Sequence, residues 1–298
     1  MEQQSQAQPT QKSWYDKYYR ILMLIPIILV ILSLVYVFSF YSQHGDVMFK
    51  DSSLSGGTTI TLIGDIDSAK FDSLKKDFPD LLVRKLSDVR TGRSLALILE
   101  SSASPDSLKP AIEKTLGYNL TADNSSVEFS GPTLSAGFYR QLVIALLIAF
   151  ILMSVVILIM FRTVIPSIAV IFAAFSDIII PLAIVDYLGI KLSAAGIAAF
   201  LMLIGYSVDT DILLTTRAIK IKEGFLNERI FKAFKTGIFM TSTAIAAVLP
   251  AFFIVTGLPD SFRQIFLILA LGLFSDIANT WLTNAGIIKW YADAKGIK

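Results

Sequence analysis

Six stretches of about 20 residues carry almost nothing but apolar side chains, the length at which a helix crosses the hydrocarbon core of a bilayer. They fall at 20–41, 138–161, 165–188, 192–215, 236–256 and 262–288 of the 298-residue chain. Backbone N–H and C=O groups find no water at that depth, so each stretch is expected to be one helix. With 54% of its residues hydrophobic, the chain is excluded from the ordinary soluble domains. The first stretch is too long for a secretory signal and lacks a small-residue cleavage site, so it reads as a retained anchor. The expected fold class is a multi-pass α-helical membrane protein with six transmembrane helices.

Charge between the spans sets the expected orientation. Lys12, Lys17, Arg20, Arg162, the cations of 217–235 (Arg217, Lys220, Lys222, Arg229, Lys232, Lys235) and Lys289, Lys295 and Lys298 fall on one side. The short loops of the opposite side hold Lys191 and Arg263. Lysine and arginine mark cytoplasmic segments, so the tails 1–19 and 289–298 and the loop 217–235 are expected in the cytoplasm of a cell-membrane protein. Residues 1–13 are polar and Gln-rich and read as disordered. Trp14, Tyr15, Tyr18 and Tyr19 read as an interfacial aromatic belt. Within 217–235, Ile221, Phe225, Ile230, Phe231 and Phe234 are interleaved with the charges. A short amphipathic helix on the inner leaflet and a solvated basic loop both fit that pattern.

The first two spans are separated by a hydrophilic insert, 42–137, which holds 13 of the 24 acidic residues and is expected outside the cytosol. Residues 58–64 alternate and are β-branched, as a strand does. Asp67 and Ser68 open a helix expected over 67–78, with Ala69, Phe71, Leu74 and Phe78 near helical spacing and Pro79 as its stop. Strands are expected at 81–89 and 94–100, joined by a Thr91-Gly92 turn. A second helix spans 105–116 before Gly117, and a last strand lies at 126–130. The order β-α-β-β-α-β is that of a small ferredoxin-like α+β domain. Gly56-Gly57 ahead of the first strand suits a tight turn or a close backbone approach. Asn119 and Asn124 head formal glycosylation sequons.

Inside the apolar stretches, Asp177, Asp209, Asp211 and Asp276 are out of place. An ionisable side chain in hydrocarbon is costly unless paired or hydrated, and so marks a candidate functional site. Asp209 and Asp211 lie roughly 200° apart around a helix, so they cannot face one neighbour. Asp276, Asn279, Thr280 and Thr283 recur at i, i+3, i+4 and i+7, a polar helix face that must meet protein or a water path. Ser176, Thr241, Ser242 and Thr243 are available to complete a polar interior. Gly196, Gly205 and the alanine pairs 194/195 and 198/199 permit close helix approach. Either a working polar interior or helix–helix hydrogen bonding accounts for these polar groups. With no cysteine and a single histidine, His44, thiol nucleophiles and Cys- or His-rich metal sites are excluded. No metal, cofactor, enzymatic activity or nucleic-acid partner is expected.

The arrangement of six spans, one α+β insert after the first, and the run Gly205-Tyr206-Ser207-Val208-Asp209-Thr210-Asp211 resembles the SecF branch of the SecD/SecF protein-export family, in the RND superfamily, archaeal in type. The family's fourth span carries an approximate Gly-Tyr-Ser-Ile-Asn-Asp-Thr run ending in Asp-Arg. Gly205, Tyr206, Ser207 and Arg217 match it, while the family's Asp falls on Thr210, flanked by Asp209 and Asp211. Which of these two acids takes the family role stays open. The family's third-span His-Asp pair maps onto Ser176-Asp177, and Ser55-Gly56-Gly57-Thr58 is similar to its Phe-Thr-Gly-Gly-Thr. Bacterial members carry an Arg on the fifth span; here that position is Gly237, with Lys235 the nearest cation.

The resemblance implies half of an RND-type bundle, completed by a SecD-like subunit, that assists export with a SecYE-type translocon channel and engages a translocating preprotein, with an ion gradient as possible driving force. Asp177, Asp209, Asp211, Asp276, Asn279 and Thr280 would then form an ion relay or an inter-subunit contact. The alternative is an RND-type transporter half for a small molecule or lipid, against which the insert offers no second domain to build a vestibule. A third class, an intramembrane aspartyl protease, would share a proton between two acids. It asks for Gly-x-Gly-Asp where this chain has Tyr206-Ser207-Val208-Asp209.

Overall fold

Every apolar stretch is helical in the computed structural model, which describes residues 14–87, 91, 93–221, 223–254 and 260–297. The tail 1–13, Gly92 of the turn, Lys222, the end of the fifth stretch with the residues up to 259, and Lys298 lie outside the described residues. Six helices among the described residues are long and apolar enough to cross a membrane: Tyr15–His44, Pro132–Phe161, Val164–Tyr187, Ala194–Lys220, Leu226–Ile254 and Phe262–Lys295. In finer detail the first is two helices, α1 (Trp14–Leu22) and α2 (Leu24–His44). A single turn, α3 (Ser52–Ser55), leads into the insert.

The insert contains strands β1 (Gly57–Ile63), β2 (Leu82–Ser87), β3 (Ser94–Ser101) and β4 (Ser125–Ser130), with helix α4 (Pro105–Leu116) before β4. Their sheet order is β2-β3-β1-β4 and every pairing is antiparallel, the ferredoxin-like arrangement. The helix expected over 67–78 is a 3₁₀ helix, Ser68–Lys76, capped by Asp67 whose carboxylate accepts from the Ala69 N–H at 3.0 Å. Phe71 and Leu74 are its buried residues. Two anchors three apart suit the three-residue 3₁₀ repeat, in which i and i+3 eclipse. They pack with Ile60, Leu62, Leu97 and Leu99 of the sheet.

The remaining helices are α5 (Pro132–Phe161), α6 (Val164–Tyr187), α7 (Ala194–Thr215), α8 (Leu226–Ile254), α9 (Asp260–Ala278) and α10 (Ala285–Lys295). α6, α7 and α9 are the inner spans, while α2, α5 and α8 leave most of their apolar windows exposed. Two π-helical turns interrupt the pattern: Thr216–Lys220 extends α7, and Asn279–Asn284 joins α9 to α10. The basic loop expected over 217–235 is therefore much shorter. The helix of 216–220 covers one end, and α8 starts at Leu226, because Leu226, Ile230 and Ala233 pack on Leu214, Trp281 and Ile288. The surface-lying amphipathic helix is instead the first turns of α8.

The insert is clasped to the bundle by backbone. Leu192 N–H donates to Phe49 O at 2.7 Å and Asp51 N–H to Leu192 O at 3.0 Å, a parallel bridge between the strap before β1 and the α6–α7 loop. Phe49 N–H reaches Asp186 Oδ1 at 3.3 Å, and Ala194 N–H reaches Ser53 Oγ at 3.0 Å. Gly56 and Gly57 take φ of +85° and +134° at the join. A Cβ at Gly56 would lie 2.4 Å from Pro132 Cα, and one at Gly57 2.4 Å from Ser101 O. Only glycine fits both the torsions and the space.

Candidate functional site

α6, α7 and the α9–α10 span converge on one polar cluster within the apolar interior. Asp177, Asp211 and Asp276 are all buried. On α6, Asp177 accepts from Ser207 Oγ through Oδ2, and its Oδ1 accepts from Asn279 Nδ2 at 2.6 Å. On α9, Asp276 Oδ1 lies 2.9 Å from Thr210 Oγ1 and 3.0 Å from Thr280 Oγ1, and its Oδ2 lies 3.3 Å from Thr241 Oγ1. On α7, Asp211 Oδ1 accepts from Asn284 Nδ2 at 2.7 Å and lies 2.9 Å from Thr280 Oγ1. One hydroxyl, Thr280, thus stands between two carboxyls. Among the described residues no Lys or Arg forms an ion pair with any of the three acids. Asp211 Oδ2, Asn279 Oδ1 and Asn284 Oδ1 are buried and have no hydrogen-bond partner among the described residues.

The two acids of α7 part company, as their angular separation requires. Asp211 enters the cluster, whereas Asp209 is exposed on the outer face of α7. Asp209 shares that face with Met202, Gly205 and Tyr206 and borders a 410 Å³ cleft with Tyr206, Met240 and Thr243. Gly205 does not mediate helix approach within this chain, since a Cβ there would meet nothing within 4 Å. The close approaches are made by Gly196 beside Gln264 and Ile268, and by Gly272 against Leu203.

Some expected members lie elsewhere. Thr283 donates to Met23 O at 3.3 Å, away from the acids. Its place is taken by Asn284, because the π turn of 279–284 adds a residue and rotates the next position onto the face of Asp276 and Thr280. Ser176 Oγ donates back to Phe172 O at 2.7 Å, and Arg217 Nη1 donates to Lys232 O at 3.0 Å near the end of the bundle. Gly56 and Gly57 belong to the head clasp. Sequence reasoning did not single out Asn284, whose only signal was a second Asn eight positions beyond Asp276. Thr210 drew attention only as an alignment position, yet its hydroxyl faces Asp276.

Residues 111–294 match the model of the family described as protein export membrane protein SecD/SecF, C-terminal. The protein-export membrane protein SecF of Methanolacinia petrolearia is 38% identical over 91% of this chain and 93% of its own length. That of Methanothermobacter thermautotrophicus is 38% identical over 94% of each. The chain belongs to the SecD/SecF family of protein-export membrane proteins. Its fold is also that of the crystal structure of SecDF, a translocon-associated membrane protein from Thermus thermophilus, with a TM-score of 0.72 at 18% identity. That match covers 95% of this chain, which spans only 39% of the SecDF chain.

Membership of the SecD/SecF family carries a role in protein export and a multi-pass place in a membrane. Within the family's pattern, Gly237 on α8 lies flat against Trp281: a Cβ there would come within 2.3 Å of Cζ2. The indole fills the space that a larger side chain at this position would need. Thr241, one helical turn on, is the α8 group that reaches Asp276.

Proposed function

We propose that the chain is the SecF-type half of a two-part export complex, in which the buried acids pass a proton between them while the head domain handles an emerging polypeptide. The observation that carries this is Thr280 Oγ1, 2.9 Å from Asp211 Oδ1 and 3.0 Å from Asp276 Oδ1. A hydroxyl has one proton to donate. Both contacts are hydrogen bonds when one carboxyl itself carries a proton and donates it to Thr280. Transfer then swaps the donor: the carboxyl gives its proton to Oγ1 as the hydroxyl proton moves to the other carboxylate. A cluster with three acids and no cation partner among the described residues needs such protons, because bare charge at this depth is costly.

The partner reading rests on the outer face of α7. Asp209 is exposed there beside Tyr206, itself 53% exposed, and an ionisable side chain in a membrane span must face protein or water. A SecD-like subunit packed there would bury it and complete the bundle. The lysine- and arginine-rich ends support a reading with both termini in the cytoplasm and the ferredoxin-like domain outside, where it would meet a SecYE-type channel and its preprotein.

The test is export of a secreted reporter in cells whose only copy carries Asp211→Asn or Asp276→Asn. Each is expected to slow export by about ten-fold or more, as loss of a proton-transfer group does. Export at the unaltered rate with both substitutions would remove the relay.

A further inference from the structure

A second cavity lies between α1, the start of α8 and the π turn of 279–284. It encloses 420 Å³, and its walls include Leu22, Ile230, Phe231, Phe234, Trp281 and Ala285, within the size range of about 300–1,000 Å³ usual for small-molecule sites. Its polar end is closed and neutral. Lys289 Nζ lies 2.6 Å from Asp16 Oδ1 and 2.7 Å from Asn227 Oδ1, and Asn227 Nδ2 donates to Asp16 at 3.0 Å. Its mouth is apolar and cationic: Phe231 is 55% exposed, Lys235 Nζ sits 4.9 Å above its ring, and Lys232 beside it is exposed. Among the described residues neither lysine forms an ion pair, and the carboxylate of Glu228 lies against Gly224. Trp281 is 5% exposed, and its indole N–H has no acceptor among the described residues.

We infer that this cavity binds one anionic phospholipid, with a hydrocarbon tail among Leu22, Ile230, Phe234 and Trp281 and the phosphate held by Lys232 and Lys235. The walls match a tail, which gains by leaving water in proportion to the apolar area it covers. The unpaired lysines match a phosphate and not a zwitterionic headgroup, whose own cation would compete with them. A bound lipid would tie α1 to α8 at the inner ends of the first and fifth spans.

Trp281 reports occupancy directly. With Trp14→Phe and Trp290→Phe it becomes the only tryptophan of the full chain, reconstituted in phosphatidylcholine vesicles containing a minor fraction of phosphatidylglycerol. Quenching by tail-brominated phosphatidylglycerol is compared with quenching by tail-brominated phosphatidylcholine at the same mole fraction. Surface lysines enrich anionic lipid by about five-fold each, so the brominated phosphatidylglycerol is expected to quench at about one-fifth or less of the concentration needed for the other. Lys232→Gln with Lys235→Gln is expected to make the two lipids equal. Equal quenching in the unaltered lysine background would leave only ordinary boundary lipid. No quenching by either lipid would show the cavity filled by protein, and a preference that survives loss of both lysines would misplace the headgroup; each result overturns the assignment.

Discussion

Asp51 shows how one carboxylate at a domain joint makes stability depend on pH. It caps α3, accepting from Ser53 N–H at 2.9 Å and Ser53 Oγ at 2.6 Å. Burial, together with the nearby Glu100 carboxylate, outweighs those donors and pushes its pKa up to about 6. A carboxyl that holds its proton more tightly folded than unfolded contributes stability at low pH, which is lost as pH rises from about 4 through about 6. The loss amounts to about 3 kcal/mol at most, about two units of pKa. Asp51→Asn keeps the acceptor and removes the charge, so the fall in melting midpoint of the detergent-solubilised chain between pH 4.5 and 7.5 should become shallower. An unchanged slope would exclude Asp51 as its source. Asp46 has the opposite balance: burial raises it, but the Lys50 ammonium at 2.6 Å, the Tyr139 hydroxyl at 2.7 Å and the Val47 N–H hold it below the usual carboxylate range. Neither environment could be read from the sequence, because Lys50 is a neighbour in the chain but Tyr139 and Glu100 are brought there by folding.

Among the elements, the π turn of 279–284 decides which side chains serve the acids. In an unbroken α-helix Thr283 would follow Asp276 on the shared face; the extra residue substitutes Asn284. Asn284→Ala removes an amide donor from the buried Asp211 carboxylate. It is expected to cost about 1.5–3 kcal/mol, the usual range for hydrogen bonds to charged groups, and to slow export. Thr283→Ala gives up a single bond to Met23 O at 3.3 Å and should cost about 1 kcal/mol or less with export unaffected. Thermal midpoints and reporter export of the two variants check this order, and a reversed order would restore the regular helical face. The spans themselves were legible, since apolar length needs no neighbour to be recognised. A local change of helical register leaves no such mark, because it arises from what packs on either side.

For the molecule as a whole, the bundle leaves one face of an inner span uncovered by the chain itself. Its inner spans bury the acids, yet α7 leaves Met202, Gly205, Tyr206 and Asp209 facing outward along one stripe. Gly205→Leu tests whether a second subunit packs there. A Cβ at 205 meets nothing within 4 Å of this chain and the position is exposed, so the variant should fold and insert normally. A partner helix approaching at the glycine would be displaced, and recovery of a SecD-like subunit in affinity purification should fall by about five- to thirty-fold, as about one to two lost kcal/mol of packing imply. Undiminished recovery would move the interface elsewhere. In the opposite direction along the same helix, the Phe49–Leu192 clasp fastens the head to the N-terminal end of α7. The helix that bears Asp211 is therefore continuous with the head's anchor.

Apolar length and β-α-β-β-α-β alternation were enough to specify six spans and a ferredoxin-like insert, because both follow from local periodicity and from the refusal of hydrocarbon to take unpaired backbone. The spacing of Asp209 and Asp211 was enough to say that they diverge. It could not say which one turns inward, since a lone helix has no inside until α6 and α9 pack on it. Thr210, Thr280 and Asn284 became partners of the acids for the same reason. Hydroxyls and amides are common in such sequences, and they acquire chemistry only when packing brings them within about 3 Å of a buried charge.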